Sequence, residues 1–417
     1  MNPVMDDKRL AFRLLQAVLE QHRPLEEALD RLPAASPRDR AAAHRLAAAV
    51  LRRMGSLDAV MEPYLQKAPP PPVRLVLLIG AAGLLLLQTP AHAAVGTAVD
   101  LARAEGLTPF ARMVNAVLRR VATMGAATLA ELDGPRLDTP AWLWSSWGGL
   151  ARDISEGQQA EAPLDISLLP GAVAPEGGAA LPTGSWRYPA GTRPTELEGF
   201  AEGRFWVQDA AAALPALLLA PRPGERVLDL CAAPGGKAAQ LAASGAVVTA
   251  VEKDARRLPR LRENLARLKL DVEVIEADAL AWRPQQGFDA ILLDAPCSAT
   301  GTIRRHPDVP HAKRERDVGV LAEQQQRMIA AAAAMLNPGG RLIYAVCSLQ
   351  AEEGPAHLAR LPAGLRHLPF TEAELGAIPQ ARTAAGCLQT HPGLWRDRGG
   401  LDGFFAMRLV RAGGEAG

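Results

Sequence analysis

The chain has 417 residues, 48% of them hydrophobic and 22% charged, which is long enough for two or three domains that each bury a core. The formal net charge of +1 excludes a strongly basic or acidic protein. The first residues, MNPVMDDKRL, carry acidic groups where an export signal has a basic start, and the longest apolar run, residues 75–87, is shorter than the roughly 20 residues of a membrane span. We expect a cytoplasmic protein with no membrane partner, and a buried helix over residues 75–87.

The cysteines do not predict a metal site. The chain has four, at positions 231, 297, 347 and 387, and no two of them have CxxC spacing. No group of histidines lies near them to complete a zinc site. Structural disulfides are not expected in a cytosolic chain either. We therefore expect free thiols and no metal.

Residues 1–125 predict an all-α domain. Apolar residues recur at helical spacing, as at Leu10 and Leu14, and Ser36 followed by Pro37 and Asp39 has the pattern of a helix start. This region has 16 lysines and arginines against 11 aspartates and glutamates, whereas the remainder has 30 against 34. A basic front domain joined to a slightly acidic body indicates nucleic-acid binding by the front domain.

The remaining chain divides into two regions. Residues 126–205 lose the helical periodicity and are rich in Pro, Gly and Trp, which predicts a connector with a few short strands. Residues 206–413 alternate short apolar runs with helical stretches, and the runs are RVLDLC, AVVTAVE, DVEVIEAD, DAILLDAPC and GRLIYAVCS. This alternation predicts an α/β domain with a parallel, helix-covered sheet, in which ligands bind beyond the carboxyl ends of the strands.

The first of these strands leads into a glycine loop, in VLDLCAAPGGKAAQL. The loop lacks the GxxxxGK[ST] pattern of a nucleoside-triphosphate site and the GxGxxG pattern of a dinucleotide site. Glu252 and Asp278 close the next two strands, where acidic groups accept hydrogen bonds from a ribose or an adenine. Each acid alone is more often a solvated residue. A glycine loop and two acids at successive strand ends together favour S-adenosylmethionine as the cofactor.

The fourth and fifth strands end near cysteines. Cys297 lies in Asp294-Ala-Pro-Cys297, and Cys347 ends the last run. A lone cysteine at a strand end is usually a small buried hydrophobic residue. A thiol beside an acid and a methyl donor, however, fits methylation of cytosine C5, because thiolate addition at C6 makes C5 nucleophilic. One cysteine is sufficient for the attack, so the second must have another role.

At these motifs the sequence resembles a known family. DLCAAPGGK, DAPCSATGTIRRHPD, YAVCSLQAEEG and LDGFFAMRL are similar to motifs of the NOL1/NOP2/Sun RNA cytosine-5 methyltransferases, in particular the bacterial RsmB (Sun) branch. LRRMGSLDAVMEPYL, PAHAAVGTAVDLAR and FARMVNAVLRRV resemble the NusB-like domain of that branch. The resemblance implies a NusB-like all-α RNA-binding domain over 1–125 and a Rossmann-like class I methyltransferase domain over 206–413.

The resemblance also implies roles for individual residues. Cys347 would be the nucleophile, Cys297 would help to release the methylated product, and Asp294 would hydrogen-bond the cytosine near the cofactor. The cofactor would be held by Cys231, Ala232, Ala233, Pro234, Gly235, Gly236, Lys237, Glu252, Asp278 and Asp294.

The sequence departs from the family pattern at several places. Val346 stands where Thr is usual, and Glu252 stands where Asp is usual, although either acid can accept a bidentate contact from a ribose. Ser167 and Leu169 replace an Arg and an Asn, which predicts weaker RNA contacts from the connector. Gly354 replaces an Asn, which predicts a looser turn after Cys347.

The partner implied by the resemblance is ribosomal RNA of the small subunit, with transfer RNA and large-subunit ribosomal RNA as alternatives, and the chain is expected to be a monomer. Phosphate contacts are expected from basic residues near the cleft and on one front-domain helix. These are Arg304, Arg305, His306, Arg112, Arg119 and Arg120.

Two other function classes remain open. A nucleotide-dependent oxidoreductase would explain the sheet but not the absence of GxGxxG, and a non-catalytic RNA-binding assembly factor would explain the front domain but not the two cysteines.

Overall fold

The computed structural model describes residues 7–33 and 35–413; the first six residues, on which the export prediction depends, lie outside this range. The described α-helices, numbered α1 to α15, are Asp7–Leu19, Leu25–Asp30, Pro37–Arg52, Met54–Met61, Pro71–Leu85, Ala91–Ala104, Ala111–Glu131, Gly134–Leu137, Ala141–Trp147, Ala151–Gly157, Ala210–Leu219, Gly236–Ala243, Leu258–Arg267, Val309–Ala312 and Glu315–Met335. The described strands, β1 to β12, are Leu164–Leu168, Ala179–Ala180, Trp186–Tyr188, Phe205–Val207, Arg226–Leu230, Val247–Glu252, Glu273–Glu276, Phe288–Asp294, Leu336–Val346, Leu365–His367, Leu388–Gln389 and Phe405–Arg411.

The chain forms two compact units. The helical unit comprises the chain up to Ala160 together with residues 303–314, and the α/β unit comprises residues 161–302 and 315–417.

The helical unit is organised around one apolar core. Leucines, valines and alanines from α1, α3, α4, α5, α6 and α7 pack together in this core. Helix α5 contains most of the longest apolar run, and ten of its residues are buried, as the sequence predicted. Helix α3 begins as its sequence pattern predicts, because the Ser36 hydroxyl accepts a hydrogen bond from the backbone N–H of Asp39 and Pro37 occupies the first helical position. None of the described helices is long and apolar enough to cross a membrane.

The helical unit extends beyond the boundary predicted at residue 125. That position lies inside α7, which continues to Glu131, and α8 to α10 belong to the same unit. Helix α8 begins within Asp133-Gly134-Pro135, and α9 follows Thr139-Pro140. These Gly and Pro residues interrupt the helical periodicity, so the short helices could not be predicted from the sequence. Residues 303–314 return to this unit from far along the chain, which local sequence patterns do not predict.

The second half of the predicted connector is a small antiparallel sheet in the α/β unit. Its strand order is β2-β3-β1-β4. Asp165 on β1 is buried and accepts two hydrogen bonds of 2.7 Å from the Arg187 guanidinium on β3. The same carboxylate accepts from the backbone N–H of Ala210, at 3.0 Å, and thereby attaches the small sheet to the start of α11.

The large sheet has the strand order β10-β12-β9-β8-β5-β6-β7, and β11 pairs with β12. The five predicted strands, β5 to β9, pair in parallel, whereas β10, β11 and β12 pair antiparallel. The sheet is therefore mixed and not purely parallel, since LDGFFAMRL folds back beside β9. The strand order reverses between β5 and β8, which is where such sheets bind ligands.

Both faces of the large sheet are buried. Ala290 and Leu292 of β8 pack with residues of α11 and α12 on one face, and Ile291 and Leu293 pack with residues of α15 on the other. Because successive side chains of a strand point to opposite faces, this explains why β8 is a continuous apolar run.

Candidate active site

The predicted site residues of the α/β unit follow the carboxyl ends of five parallel strands. Cys231 comes directly after β5, Glu252 ends β6 and Asp294 ends β8. Asp294 pairs in register with Ala345 of β9, so Cys347 follows two residues beyond the paired position. The parallel ladder thus brings together at one sheet edge residues that are more than a hundred positions apart in sequence.

The glycine loop makes a sharp turn from β5 into α12. Cys231 has φ of 64° and Gly235 has φ of 103°, both in the left-handed region. A Cβ added at Gly235 would lie 2.6 Å from Cδ1 of Leu261, so both the backbone angle and the close packing require glycine. Burial, with the charges of nearby carboxylates, raises the pKa of the Cys231 thiol. Cys231 therefore remains a neutral residue of the loop.

Glu252 holds this loop from the neighbouring strand. Its carboxylate is buried and accepts hydrogen bonds from the backbone N–H groups of Ala233, at 3.3 Å, and Asp254, at 2.9 Å. The Arg257 guanidinium lies 3.4 Å from it. The predicted ribose acceptor thus also stabilises the loop in which the cofactor is expected to bind.

Asp278 is more exposed. It accepts a 2.7 Å hydrogen bond from Lys253 Nζ and a 2.9 Å bond from the backbone N–H of Leu280. The Lys253 ammonium and the Leu280 N–H lower the pKa of Asp278, so the group is a carboxylate.

Lys237 links the glycine loop to the cysteine strands. Its Nζ lies 2.7 Å from Oδ2 of Asp294 and 5.1 Å from the centre of the Phe404 ring. Burial acts to lower the pKa of Lys237, but the Asp294 carboxylate outweighs it and raises that pKa overall. The pair is therefore ionic, and Lys237 fixes the direction of the Asp294 carboxylate.

One acidic residue of the site was missed by the sequence analysis. Asp229 lies on β5, is 1% exposed, and has no hydrogen-bond partner for either carboxylate oxygen among the described residues. Burial raises its pKa to about 8, although the Lys237 ammonium acts in the opposite direction. A buried carboxyl group without a partner at this sheet edge fits a cationic ligand group such as the ammonium of S-adenosylmethionine. Its position inside an apolar strand was the available signal.

The two cysteines lie in contact. Sγ of Cys297 is 3.4 Å from Sγ of Cys347, and both are free thiols, half-buried at the strand ends. The backbone N–H of Gly301 donates to the Cys347 carbonyl, at 3.0 Å, which pairs the two loops. The hydrogen bond between the two thiols, together with burial, raises the pKa of Cys297 well above its usual value. Cys297 is thus held as a neutral thiol beside Cys347.

The sequence departures have structural consequences. The Ser167 hydroxyl donates to Oε1 of Gln208, at 2.9 Å, inside the α/β unit. Gly354 closes the turn after Cys347, and a Cβ there would lie 2.9 Å from the Phe405 ring. The Tyr344 hydroxyl donates to the adjacent Glu353 carbonyl, at 2.6 Å. The turn that was expected to be loose is therefore closely packed.

The predicted RNA-binding residues differ in exposure. Arg112, Arg119 and Arg120 are exposed on α7, and the Arg120 guanidinium lies 5.9 Å from the centre of the Tyr64 ring. Arg304 is only 1% exposed, and its carbonyl accepts a 2.9 Å hydrogen bond from Arg52. Burial in the helical unit therefore removes Arg304 from the predicted RNA-binding surface.

The other two predicted RNA-binding residues are closer to solvent, since Arg305 is half-buried and His306 is exposed.

Within residues 7–33 and 35–413 there is no group of three or more His, Cys, Asp or Glu that could hold a metal ion.

Comparisons with known proteins identify both parts of the chain. A family model described as "16S rRNA methyltransferase RsmB/F" matches residues 216–410, and the NusB family model matches residues 5–123. The crystal structure of PH0851 has a TM-score of 0.71 at 21% identity and covers 97% of this chain and 99% of that one. A methyltransferase homologue from Pyrococcus horikoshii has a TM-score of 0.52 at 24% identity and covers 67% and 96%. These two structures share the fold.

Curated relatives cover nearly the whole length. Ribosomal RNA small subunit methyltransferase B of Xanthomonas campestris pv. campestris is 38% identical over an alignment of 433 positions, gaps included, which covers 96% of this chain and 96% of that protein. The protein of the same name from Pseudomonas putida is 36% identical over an alignment of 449 positions, gaps included, which covers 99% of this chain and 100% of that protein. The chain belongs to the ribosomal RNA small subunit methyltransferase B family.

Proposed function

We propose that this chain is an S-adenosylmethionine-dependent methyltransferase that makes 5-methylcytosine in 16S ribosomal RNA, and that it acts in the cytoplasm as a monomer. The observation that carries the proposal is the 3.4 Å approach of the Cys297 and Cys347 thiols at the carboxyl ends of adjacent strands. Asp294 ends the first of these strands. Two free thiols and a carboxylate at a cofactor-binding sheet edge fit the chemistry of cytosine C5.

The cofactor is proposed to bind along the glycine loop. S-adenosylmethionine supplies an electrophilic methyl group when bound. The loop from Cys231 to Lys237 and the acids Glu252 and Asp278 would hold it, and the buried Asp229 carboxyl group would face its positive charge. No pyrophosphate has to be bound, in agreement with the absence of GxGxxG.

The thiols have different proposed roles. Cys347 adds to cytosine C6, which turns C5 into a nucleophile, and Asp294 hydrogen-bonds the ring while charge develops on it. Cys297 then helps to release the methylated base: its thiol gives its proton to the departing Cys347 sulfur and takes up the C5 proton in exchange, so that the C5–C6 double bond re-forms as the S–C6 bond breaks. Its raised pKa keeps it a neutral thiol before the reaction, so it does not compete with Cys347 as the attacking group.

The RNA is proposed to be held by the exposed arginines of α7, Arg112, Arg119 and Arg120, and by Arg305 and His306, which follow Cys297 by eight and nine positions. Phosphate contacts of this kind position the RNA without reading its sequence. The target cytosine must be single-stranded or flipped out of its stack to reach the thiols.

Bisulfite sequencing of total RNA from a deletion strain tests the proposed function. We expect a cytosine of 16S rRNA to lose its methylation, and to regain it when the wild-type chain is supplied but not when the Cys347→Ala variant is. Loss confined to transfer RNA or to large-subunit rRNA would assign a different substrate, and no change in any RNA would contradict the proposal. Titration calorimetry with S-adenosylmethionine and with NAD separates the methyltransferase from an oxidoreductase.

A further inference from the structure

A buried carboxylate lies behind the two cysteines and has no place in the chemistry described above. Glu353 follows β9 by seven residues and is 0% exposed. It accepts hydrogen bonds from the backbone N–H of Ser298, at 2.8 Å, and from the side-chain amide of Gln325, at 3.0 Å. Its other oxygen accepts from the hydroxyls of Ser298 and Ser348, each at 2.5 Å. All four donors are neutral groups, so the carboxylate is held by geometry and not by an ion pair.

The donors come from the two cysteine loops. Ser298 directly follows Cys297, and Ser348 directly follows Cys347. The two hydroxyls are also 3.0 Å from each other. A single carboxylate therefore joins the residue after one thiol to the residue after the other, although the two lie 50 positions apart.

The glutamate itself is held from behind. Gln325 of α15 donates to Glu353 and to the carbonyl of Pro296, at 2.9 Å. The Tyr344 hydroxyl donates to the Glu353 carbonyl, at 2.6 Å, and His357 Nε2 lies 3.2 Å from Oε1 of Gln325. The carboxylate is thus fixed by rigid elements on both sides, as a positioning group requires.

A fully satisfied buried network of this kind specifies one arrangement of its loops, whereas the loss of one member leaves buried donors unpaired. We propose that Glu353 is a positioning residue that clamps the loops of Cys297 and Cys347 together, so that both thiols can reach the same cytosine. The proposal rests on the proposed function, because it gives the 3.4 Å approach of the thiols a purpose in that reaction.

The spacing of the thiols can be measured without RNA or cofactor. Dibromobimane becomes fluorescent when it has alkylated two neighbouring thiols, so its bridging rate reports on the Cys297–Cys347 pair. We expect Glu353→Ala to slow bridging by about tenfold or more, and Glu353→Gln to restore it to within about twofold of wild type. The glutamine has the same shape, and its amide can donate to the two serine hydroxyls. Cys297→Ala must abolish the signal, which shows that the reagent reports on this pair.

The matched controls remove a different carboxylate. Glu225 lies before β5, at the amino end of the same sheet, and pairs with Arg341 at 2.6 Å. In Glu225→Ala and Glu225→Gln, dibromobimane should bridge Cys297 and Cys347 at the wild-type rate, even if the substitution lowers the stability of the protein. A general loosening of the fold would instead slow bridging in these variants as well. Circular dichroism and thermal unfolding of each variant accompany the measurement.

In the methylation assay we expect Glu353→Ala to lower kcat by about 100-fold, since a misplacement of about 1 Å has an effect of that size. The KM for S-adenosylmethionine should stay within about twofold, because Glu353 contacts the cysteine loops and not the glycine loop. Glu353→Gln should recover most of kcat.

A second variant tests the clamp if Glu353→Ala fails to fold. Ser298→Ala with Ser348→Ala removes both hydroxyl donors and keeps the glutamate, and should slow bridging as well. Wild-type bridging rates in both variants would overturn the proposal, and so would absence of bridging in the wild type. Since bridging needs no substrate, failure to methylate 16S rRNA would contradict the proposed function and leave this measurement valid.

Discussion

The two units of the chain carry their chemistry in different ways. In the helical unit, the predicted RNA-binding groups are exposed arginines on α7, which follow one another within nine positions of the sequence. In the α/β unit, the site joins residues from Cys231 to Glu353, and their positions are set by parallel strand pairing and buried hydrogen bonds. A surface of exposed charges tolerates gradual change, because each solvated charge contributes little by itself. A buried group of side chains whose hydrogen bonds are all made does not tolerate such change, because the loss of one member leaves the others unpaired.

The largest expected effect concerns the cysteines. Cys347→Ala leaves no thiol to add to C6, so neither methylation nor a covalent protein–RNA adduct should form. Cys297→Ala should instead accumulate adduct, since addition and methylation proceed while release becomes slow. A denaturing gel with S-adenosylmethionine present should show a strong slow-migrating band for Cys297→Ala alone.

Cys387→Ala is the control for this pair of variants. Cys387 is buried, and its Sγ contacts Nε2 of His367, at 3.5 Å, whereas the sulfurs of Cys297 and Cys347 contact each other. If the slow-migrating band forms with Cys347→Ala and not with Cys297→Ala, Cys297 is the nucleophile and Cys347 the residue that helps release. Full turnover in both variants would exclude the thiol mechanism.

A smaller effect is expected at the cofactor site. Asp278→Ala should weaken S-adenosylmethionine binding by about 1.5 to 3 kcal/mol, the value of a hydrogen bond to a charged group. Calorimetry gives the dissociation constant. Asp271→Ala removes the same charge at the opposite end of β7, where it is exposed, and should leave binding unchanged. Equal affinities in all three proteins would remove Asp278 from the cofactor site.

The helical unit should respond more gradually. Replacing Arg112, Arg119 and Arg120 by alanine should weaken RNA binding by about tenfold and reduce the salt slope, by about 0.7 for each phosphate that is no longer neutralised. Affinity for S-adenosylmethionine should not change. A triple alanine variant of the exposed Arg31, Arg38 and Arg103 has the same charge and serves as the control. The same salt slope in both triple variants would place the RNA elsewhere. Substitution is preferable to truncation at residue 125, which would cut α7.

The smallest effect is one of stability alone. Ser36→Ala removes the hydroxyl that accepts from the Asp39 N–H and should destabilise the helical unit by about 1 kcal/mol, whereas Ser36→Asn should retain the cap. Chemical denaturation followed by circular dichroism gives the free energy of unfolding. The bridging rate of the two thiols should not change. An altered bridging rate in Ser36→Ala would contradict this expectation.

The sequence alone determined the elements that have a local signal. The start of α3, the buried α5 and the five strands β5 to β9 follow from caps and from hydrophobic periodicity. The glycine loop, the acids at strand ends and the two cysteines were found because their residue types follow strands of a parallel sheet, whose carboxyl ends lie on one edge.

Only the tertiary structure decided what depends on residues distant in the chain. Local patterns do not predict that β12 pairs antiparallel with β9, or that residues 303–314 belong to the helical unit and bury Arg304 there. The sequence analysis did not single out Asp229 or Glu353, because both are distinguished by their burial, which local sequence patterns do not reveal. The sequence specifies the chemical groups of each side chain, but long-range packing determines how far each group is solvated and which groups surround it.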